Sequence, residues 1–438
     1  MNARRLLAGL FVGISSAAYL CCAVEGTVLR EVDENELDGA LADSAPGDAT
    51  KITDAPADAD TGTTFPADAA RGEATGVFTG QYFSCDLVAG LAACWGSNVL
   101  GQLGTGGLQD ELSPTALTAA PGFTVLSAGE SHTCGLAYGS GAVYCWGSDA
   151  YGQLGQGEPA STLDASTADP SPLRVWLAHA ASTVAAGYDH ACAILGDGSL
   201  WCWGDNQEGQ LGLDDPYGAP NYPTPQRVGT GTDWRAVSGG QGHSCGLRAS
   251  ADGGSGHTLW CWGRDSGGEL GLGTGQPMES RVPTQVGTAS TWAQVDLGQD
   301  EACAVRTDGT LWCWGGNIEG ELTPAVNTTL YVPTQIGTDS DWSHVDTDTF
   351  VTCALKTSGA LYCWGRNVEG QLGVGDTNDR TSPTATGSGA LFSGVSVGRF
   401  HTCARTTAGK VLCAGDNESG QLGVGDSMRR NTFTAVAP

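Results

Sequence analysis

Charge is scarce in this sequence, and positive charge scarcer still. Charged residues make up 16% of the 438, against a usual share of about 25%. The 20 Lys and Arg stand against 48 Asp and Glu, a net charge of −28. That balance excludes the basic footprint needed to hold DNA, chromatin or an anionic membrane. Long apolar runs are missing too: the run from Leu6 to Ala18 falls short of the about 20 residues of a membrane span. No nucleophile elbow, phosphate loop or catalytic triad occurs. Zinc-type Cys-x2-Cys clusters with histidine partners and EF-hand spacings are absent as well. No cofactor, no metal and no enzymatic activity is expected.

Glycine is abundant instead, at 67 residues, about twice its ordinary share of roughly 7%. Glycines and cysteines trace to one unit, GYDHACAILGDGSLWCWGDNQEGQLG at residues 187–212. Two short β-prone runs flank Gly196-Asp197-Gly198, which reads as a β-hairpin. With the turn centred on Asp197, Cys192 and Cys202 face one another. The unit recurs seven times, with Cys-Trp-Gly at Cys94, Cys145, Cys202, Cys261, Cys313 and Cys363, and Cys413-Ala414-Gly415 as the seventh. Two further strands per unit are marked by Pro-x-x-aliphatic (Pro225 to Val228) and Trp-x-x-Val (Trp292 to Val295). Four short strands at a period near 50 residues are the pattern of propeller blades. Phe433 to Val436 and Val77 to Gly80 look complementary, so the N- and C-terminal strands are expected to pair and close the ring.

The chain divides into three parts. Arg4 and Arg5, the apolar run and Cys21-Cys22-Ala23 form a signal segment over 1–23. Lipid attachment at Cys21 or Cys22 is the alternative, giving an anchored lipoprotein. Residues 24–75 carry thirteen acidic and three basic residues with few apolar ones, the composition of a disordered, self-repelling linker. Residues 76–438 hold the repeats, with 35 acidic and 15 basic residues.

The motifs GYDHACAIL…CWGDNQEGQLG and GRFHTCARTTAGKVLCAGDNESGQLG resemble the regulator-of-chromosome-condensation repeat family over residues 76–438. The resemblance implies an all-β, seven-bladed β-propeller. It does not imply one activity, since propellers host many. Some members exchange guanine nucleotides through a wedge outside the repeats; no such wedge is found, and exchange is not expected.

Seven cysteine pairs, one per repeat, are Cys85/Cys94, Cys134/Cys145, Cys192/Cys202, Cys245/Cys261, Cys303/Cys313, Cys353/Cys363 and Cys403/Cys413. In an exported chain they read as hairpin disulfides, with free buried thiols as the alternative. His132, His190, His243 and His401 precede the first cysteine by two residues, where Phe83, Glu301 and Val351 stand in the other repeats. That irregularity suits polar residues satisfied inside each blade better than a metal ring. The tryptophans beside the cysteines read as packing between blades.

Loops of varying length after Gly-Gln-Leu-Gly form the candidate binding face. They carry Asp110, Glu111, Glu158, Asp164, Asp214, Asp215, Tyr217, Tyr222, Glu279, Asp376 and Asp379. The reading is an exported monomer, extracellular or on the outer cell surface, that binds a cationic or polar protein or polysaccharide. Nucleic acid is not a partner, and membrane contact is limited to an N-terminal anchor. The alternatives are an enzyme inhibitor resembling the secreted β-lactamase-inhibiting propellers, and a polysaccharide hydrolase or lyase.

Overall fold

The computed structural model describes residues 75–117, 120–157, 168–215, 220–251, 253–274, 278–387 and 389–438. The expected signal segment and all but the last residue of the expected linker lie outside them. Within the described residues there are 28 strands, and no helix is long and apolar enough to cross a membrane.

The strands form consecutive antiparallel meanders, four to a repeat. Repeat 1 runs Gly76–Thr79, Phe83–Val88, Leu91–Gly96 and Glu111–Ala116, paired in that order. The pattern returns through repeats 2 (123–175), 3 (181–227), 4 (234–285), 5 (292–335), 6 (342–385) and 7 (392–435). One bridge pair, His257 with Trp292, joins repeats 4 and 5 into an eight-stranded sheet; the other sheets have four strands. The first strand of every repeat borders one common cavity, from Phe78 in repeat 1 to Val397 in repeat 7. Sheets set around such an axis form a β-propeller.

Burial follows from this placement. The second strand is covered on both faces by neighbouring repeats, so His190–Leu195 is buried throughout. The outermost strand, such as Asn221–Arg227, is at most half-buried. Within each hairpin the cysteines are directly opposite, as in Cys192 with Cys202 and Cys245 with Cys261. All seven pairs are disulfide-bonded.

The glycine of Cys-Trp-Gly has a local cause. Pairing between the third and fourth strands shifts register at this point, as between Cys202 and Gly204, which is a β-bulge. Gly204 sits at φ +101, and a Cβ there would lie 2.6 Å from the Asp189 carbonyl oxygen. Only glycine enters such a place without strain. Gly415 keeps it (φ +116) in the repeat where Ala414 replaces the tryptophan.

The terminal strands do not pair, contrary to the sequence expectation. Gly76–Thr79 pairs with Phe83–Val88, and Arg430–Ala435 pairs with Val411–Gly415. Each terminal strand completes its own repeat's sheet, because the repeat begins at the innermost strand and ends at the outermost. Repeats 7 and 1 meet by the contacts that join other neighbours. The Trp95 indole N–H donates to the Gln421 carbonyl at 2.9 Å, as Trp203 does to Gln153 at 2.9 Å. Thr79 N donates to Ser396 Oγ at 3.2 Å, as Ala186 N does to Ser127 Oγ at 2.9 Å, and an Arg405–Asp86 pair at 2.6 Å is added at this junction. Val77 and Trp95 share an apolar cluster with Cys403, Leu422 and, at its edge, Val436.

Candidate binding site

Strand alternation places the Gly-Gln-Leu-Gly loops and the Gly-x-x-His turns on one face. Each loop is held from beneath by one side chain. Asn98 Oδ1 accepts from Leu103 N at 3.0 Å, and Asn367 Oδ1 accepts from Leu372 N at 3.0 Å. Asp149 and Asp265 do the same for Leu154 and Leu270. The loops are also tied sideways: Gly157 N donates to Pro223 O at 2.9 Å, and Gly375 N to Asn431 O at 2.8 Å.

Most acidic residues singled out from the sequence serve this framework. The exposed Asp110 and Asp379 accept from the backbone N–H of Asn98 (2.8 Å) and Asn367 (2.7 Å). Asp376 pairs with Arg380 at 2.8 Å, which holds its carboxyl below the usual range, and Glu279 pairs with Arg281 at 3.0 Å. Asp215 accepts from the Tyr222 hydroxyl at 2.6 Å. Glu111 is half-buried on the outer strand, opposite Gly96. Asp214 is exposed in a left-handed conformation, φ +53. Glu158, Asp164 and Tyr217 lie outside the described residues. The described groups are spread over four repeats: Asp110 and Glu111 in repeat 1, Asp214, Asp215 and Tyr222 in repeat 3, Glu279 in repeat 4, and Asp376 and Asp379 in repeat 6.

Two of the four histidines join repeats rather than being satisfied within them. His190 Nε2 lies 2.8 Å from Ser244 Oγ in repeat 4, and His401 Nε2 lies 2.8 Å from Ser84 Oγ in repeat 1. Ser244 and Ser84 spend their hydroxyl protons on the carbonyls of Gln210 and Gln421, both at 2.9 Å. Each imidazole is therefore the donor. His132 and His243 make no hydrogen bond through either ring nitrogen, and the matching residues in the next repeats are Ala191 and Ala302. Burial holds His132 down to about 4 and the other three to about 3. The first glycine of the turn makes room for the ring, since a Cβ on Gly187 would lie 2.2 Å from His190 Cε1.

The axial cavity is the feature that sequence reading missed. It measures about 240 Å³, and its lining side chains include Gln81, Glu130, Tyr188, Asp296, Asp346 and Asp348. Two of the carboxyls also stitch repeats together. Asp296 Oδ2 accepts from Thr347 N at 2.9 Å, and Asp346 Oδ1 accepts from Val397 N at 2.7 Å. Ser127 and Ser396 hold the same place and do the same for Ala186 N and Thr79 N. Burial raises Asp296 to about 7 and Asp348 to about 6, and drives Asp346 well up with help from Asp296. Burial also raises Glu130, against the pull of Arg399. The available signal was positional. Gln81, Glu130 and Tyr188 each follow the turn glycine, at a place that varies between Gln, Glu, Tyr, Thr and Arg while the residue before it is glycine in six of the seven repeats. Among the described residues, no group of three or more His, Cys, Asp or Glu is arranged to hold a metal ion.

The regulator of chromosome condensation (RCC1) repeat matches residues 92–136, 140–194, 197–247, 257–305 and 358–405. A second form of the same repeat matches 123–153, 181–210, 292–321 and 392–421. The chain is 31% identical to the Arabidopsis thaliana Ultraviolet-B receptor UVR8 over 56% of its own length and 54% of the receptor's. It is 30% identical to the human probable E3 ubiquitin-protein ligase HERC6, over 52% of this chain and 22% of that one. It thus spans about half or less of these relatives. The crystal structure of Prp20p from Saccharomyces cerevisiae superposes with a TM-score of 0.67 at 18% identity, covering 84% of this chain and 88% of that one. With the repeat matched across more than half of its residues, on a propeller like that of Prp20p, the chain belongs to the regulator of chromosome condensation (RCC1) repeat family.

Proposed function

We propose that this chain is an exported, non-catalytic, monomeric binding scaffold: a ring of seven blades, one per repeat, that docks a protein on its Gly-Gln-Leu-Gly face. The observation that carries this reading is the build of that face. Loops of unequal length are pinned by buried Asn and half-buried Asp side chains, while Asp110, Asp214 and Asp379 stand exposed. Loops held on a rigid scaffold are where binding residues concentrate. An acidic rim favours a cationic or polar partner, steered by charge. A protein is favoured over a polysaccharide because Prp20p has described binding properties toward Gsp1p and histones. Export is supported by the seven disulfides, whose cysteines are buried, a density that suits an oxidising compartment.

The test is a pull-down with the propeller from the native extracellular fraction, followed by affinity measurements on variants. Asp214→Lys combined with Asp215→Lys should weaken the captured partner about tenfold, mainly through slower association and with a changed salt dependence. Tyr222→Ala should weaken it as well. Loss of binding from changes in the Ala249 to His257 hairpin, with these variants unaffected, would move the site to the opposite face.

A further inference from the structure

Three neighbouring repeats carry a cation at one place near the hairpin tips, and one of the three lacks its counter-ion. Arg248, Arg306 and Lys356 stand directly opposite Trp234, Trp292 and Trp342, the residues that open repeats 4, 5 and 6. Each also lies over a ring of the third strand: Trp260 at 4.7 Å, Trp312 at 3.8 Å and Tyr362 at 5.4 Å. Ring faces attract a cation but accept little from its N–H edge, which needs an acceptor of its own. In repeat 4 the residue before the tryptophan supplies one: Asp233 Oδ1 accepts from Arg248 Nε at 2.9 Å and from Nη2 at 2.8 Å. In repeat 6 Asp341 holds the same place and, with Asp339, accepts from Lys356 Nζ at 2.7 and 2.6 Å. Repeat 5 has Thr291 there, exposed. Arg306 makes no ion pair among the described residues, and its Nε is buried without a partner. Asp308 does not fill the gap, since its carboxylate accepts from Thr310 N at 3.0 Å and Thr310 Oγ1 at 2.6 Å. Its charge reaches Arg306, but burial outweighs it and holds the guanidinium below its usual range. A buried donor without an acceptor is costly and asks for an explanation.

We propose that Arg306 is a binding site for a single carboxylate carried by a partner protein, docked on Nε and the adjacent Nη as Asp233 docks on Arg248. The half-buried Arg306 reaches the surface, and Thr291 turns aside to admit the ligand. Trp292 and Trp312 hold the guanidinium plane in place, so little freedom is lost on binding. A polyuronate or other polyanion does not suit the site: Arg248 and Lys356 on either side are already neutralised by this chain's own aspartates, which leaves room for one charge and not a row. The site is on the face opposite the Gly-Gln-Leu-Gly loops, so failure of either reading leaves the other standing.

Nuclear magnetic resonance of the full chain, labelled with nitrogen-15 at arginine, reads the orphan donor directly. Arg306→Lys identifies the Arg306 Nε–H signal by its loss. At constant ionic strength, N-acetylglycinate presents a chain-terminal carboxylate and N-acetylaspartic acid amide a side-chain one, and the tighter of the two names the source. One of them should shift the Arg306 signal saturably, with half-saturation at roughly 1–10 mM, the weak range of one charge-assisted contact, while Arg248 stays unmoved. Thr291→Asp supplies the acceptor from within and should weaken the probe at least about tenfold. Asp233→Thr should open a second site, so that Arg248 begins to titrate. Thermal melts show that both variants remain folded, and the wild-type comparison of Arg306 with Arg248 needs neither. No saturable shift of Arg306 with either probe would overturn the proposal, as would an equal shift of Arg248 in the wild-type chain. An unchanged half-saturation in folded Thr291→Asp, a silent Arg248 in folded Asp233→Thr, or tighter binding of glucuronate than of both peptide probes would overturn it too.

Discussion

The contact between repeats 3 and 4 and the contact between repeats 5 and 6 occupy the same place in the scaffold with opposite chemistry. In the first, His190 donates to Ser244 across the interface. In the second, Glu301 holds the histidine's position, fully buried, and accepts from Asp300 N at 3.0 Å and the Thr347 hydroxyl at 3.4 Å. Repeat 6 departs further: Val351 replaces the histidine and Asp348 the turn glycine. The smaller Val351 removes the need for a bare backbone at the turn, which leaves room for a carboxyl beside the channel. The scaffold thus demands a shape at this point and tolerates either sign of acid–base chemistry.

The largest test of this contrast is pH. His190, held down to about 3 by burial and then by His132, contributes stability that is complete above its ordinary value near 6.5. That stability drains as pH falls toward 3, at about 1.4 kcal/mol per unit. Glu301, raised by burial and then by Glu321, does the reverse. Its contribution is complete at acid pH and is lost as pH rises above the ordinary glutamate value of 4.5. His190→Gln should therefore lift the urea midpoint at about pH 5 relative to neutral pH. Glu301→Gln should lift it at neutral pH and do little near pH 4. Parallel profiles for the two variants would refute the contrast.

A smaller effect separates the turn residues themselves. Gly187→Ala drives a methyl into the His190 ring and toward the Gly240 carbonyl, at about 1–3 kcal/mol. Asp348→Ala, at the same point of repeat 6, should lose the bonds from the Tyr188 and Thr349 hydroxyls, about 1 kcal/mol in all because those two hydroxyls keep each other as partners. Equal melting temperatures would show that the histidine does not dictate the glycine. The smallest effect compares the histidines. Ser244→Ala should cost His190 its partner, about 1 kcal/mol. Ala302→Ser should give His243 the partner it lacks and raise stability by a similar or smaller amount. Chemical denaturation of both variants checks the pair.

Much of this scaffold could be read locally. Opposed cysteines, the hairpin turn at Asp197 and the four-strand period all follow from spacings within one unit, where neighbours in sequence are neighbours in space. The tryptophan reading held for the same reason: a large ring beside a covered strand has only the next repeat to pack on, and Trp203 is fully buried. The candidate loop residues were placed on the right kind of element, but their partners were invisible. Whether Asp379 faces solvent or also braces Asn367 depends on how a loop folds back over 12 residues.

The sequence by itself determined the repeat, its strand order and the glycines at bulge and turn, because these are set by short-range sterics and by side-chain alternation. It left open where each sheet begins. In a ring of near-identical units, any cut through the repeat gives the same local pattern. Only the tertiary structure decided that the innermost strand comes first and that Gly76–Thr79 closes the ring by packing on repeat 7 rather than by pairing with Arg430–Ala435. The axial cavity was decided there as well. Its lining side chains come from residues as far apart as Gln81 and Asp348, and closure of the ring is what brings them together.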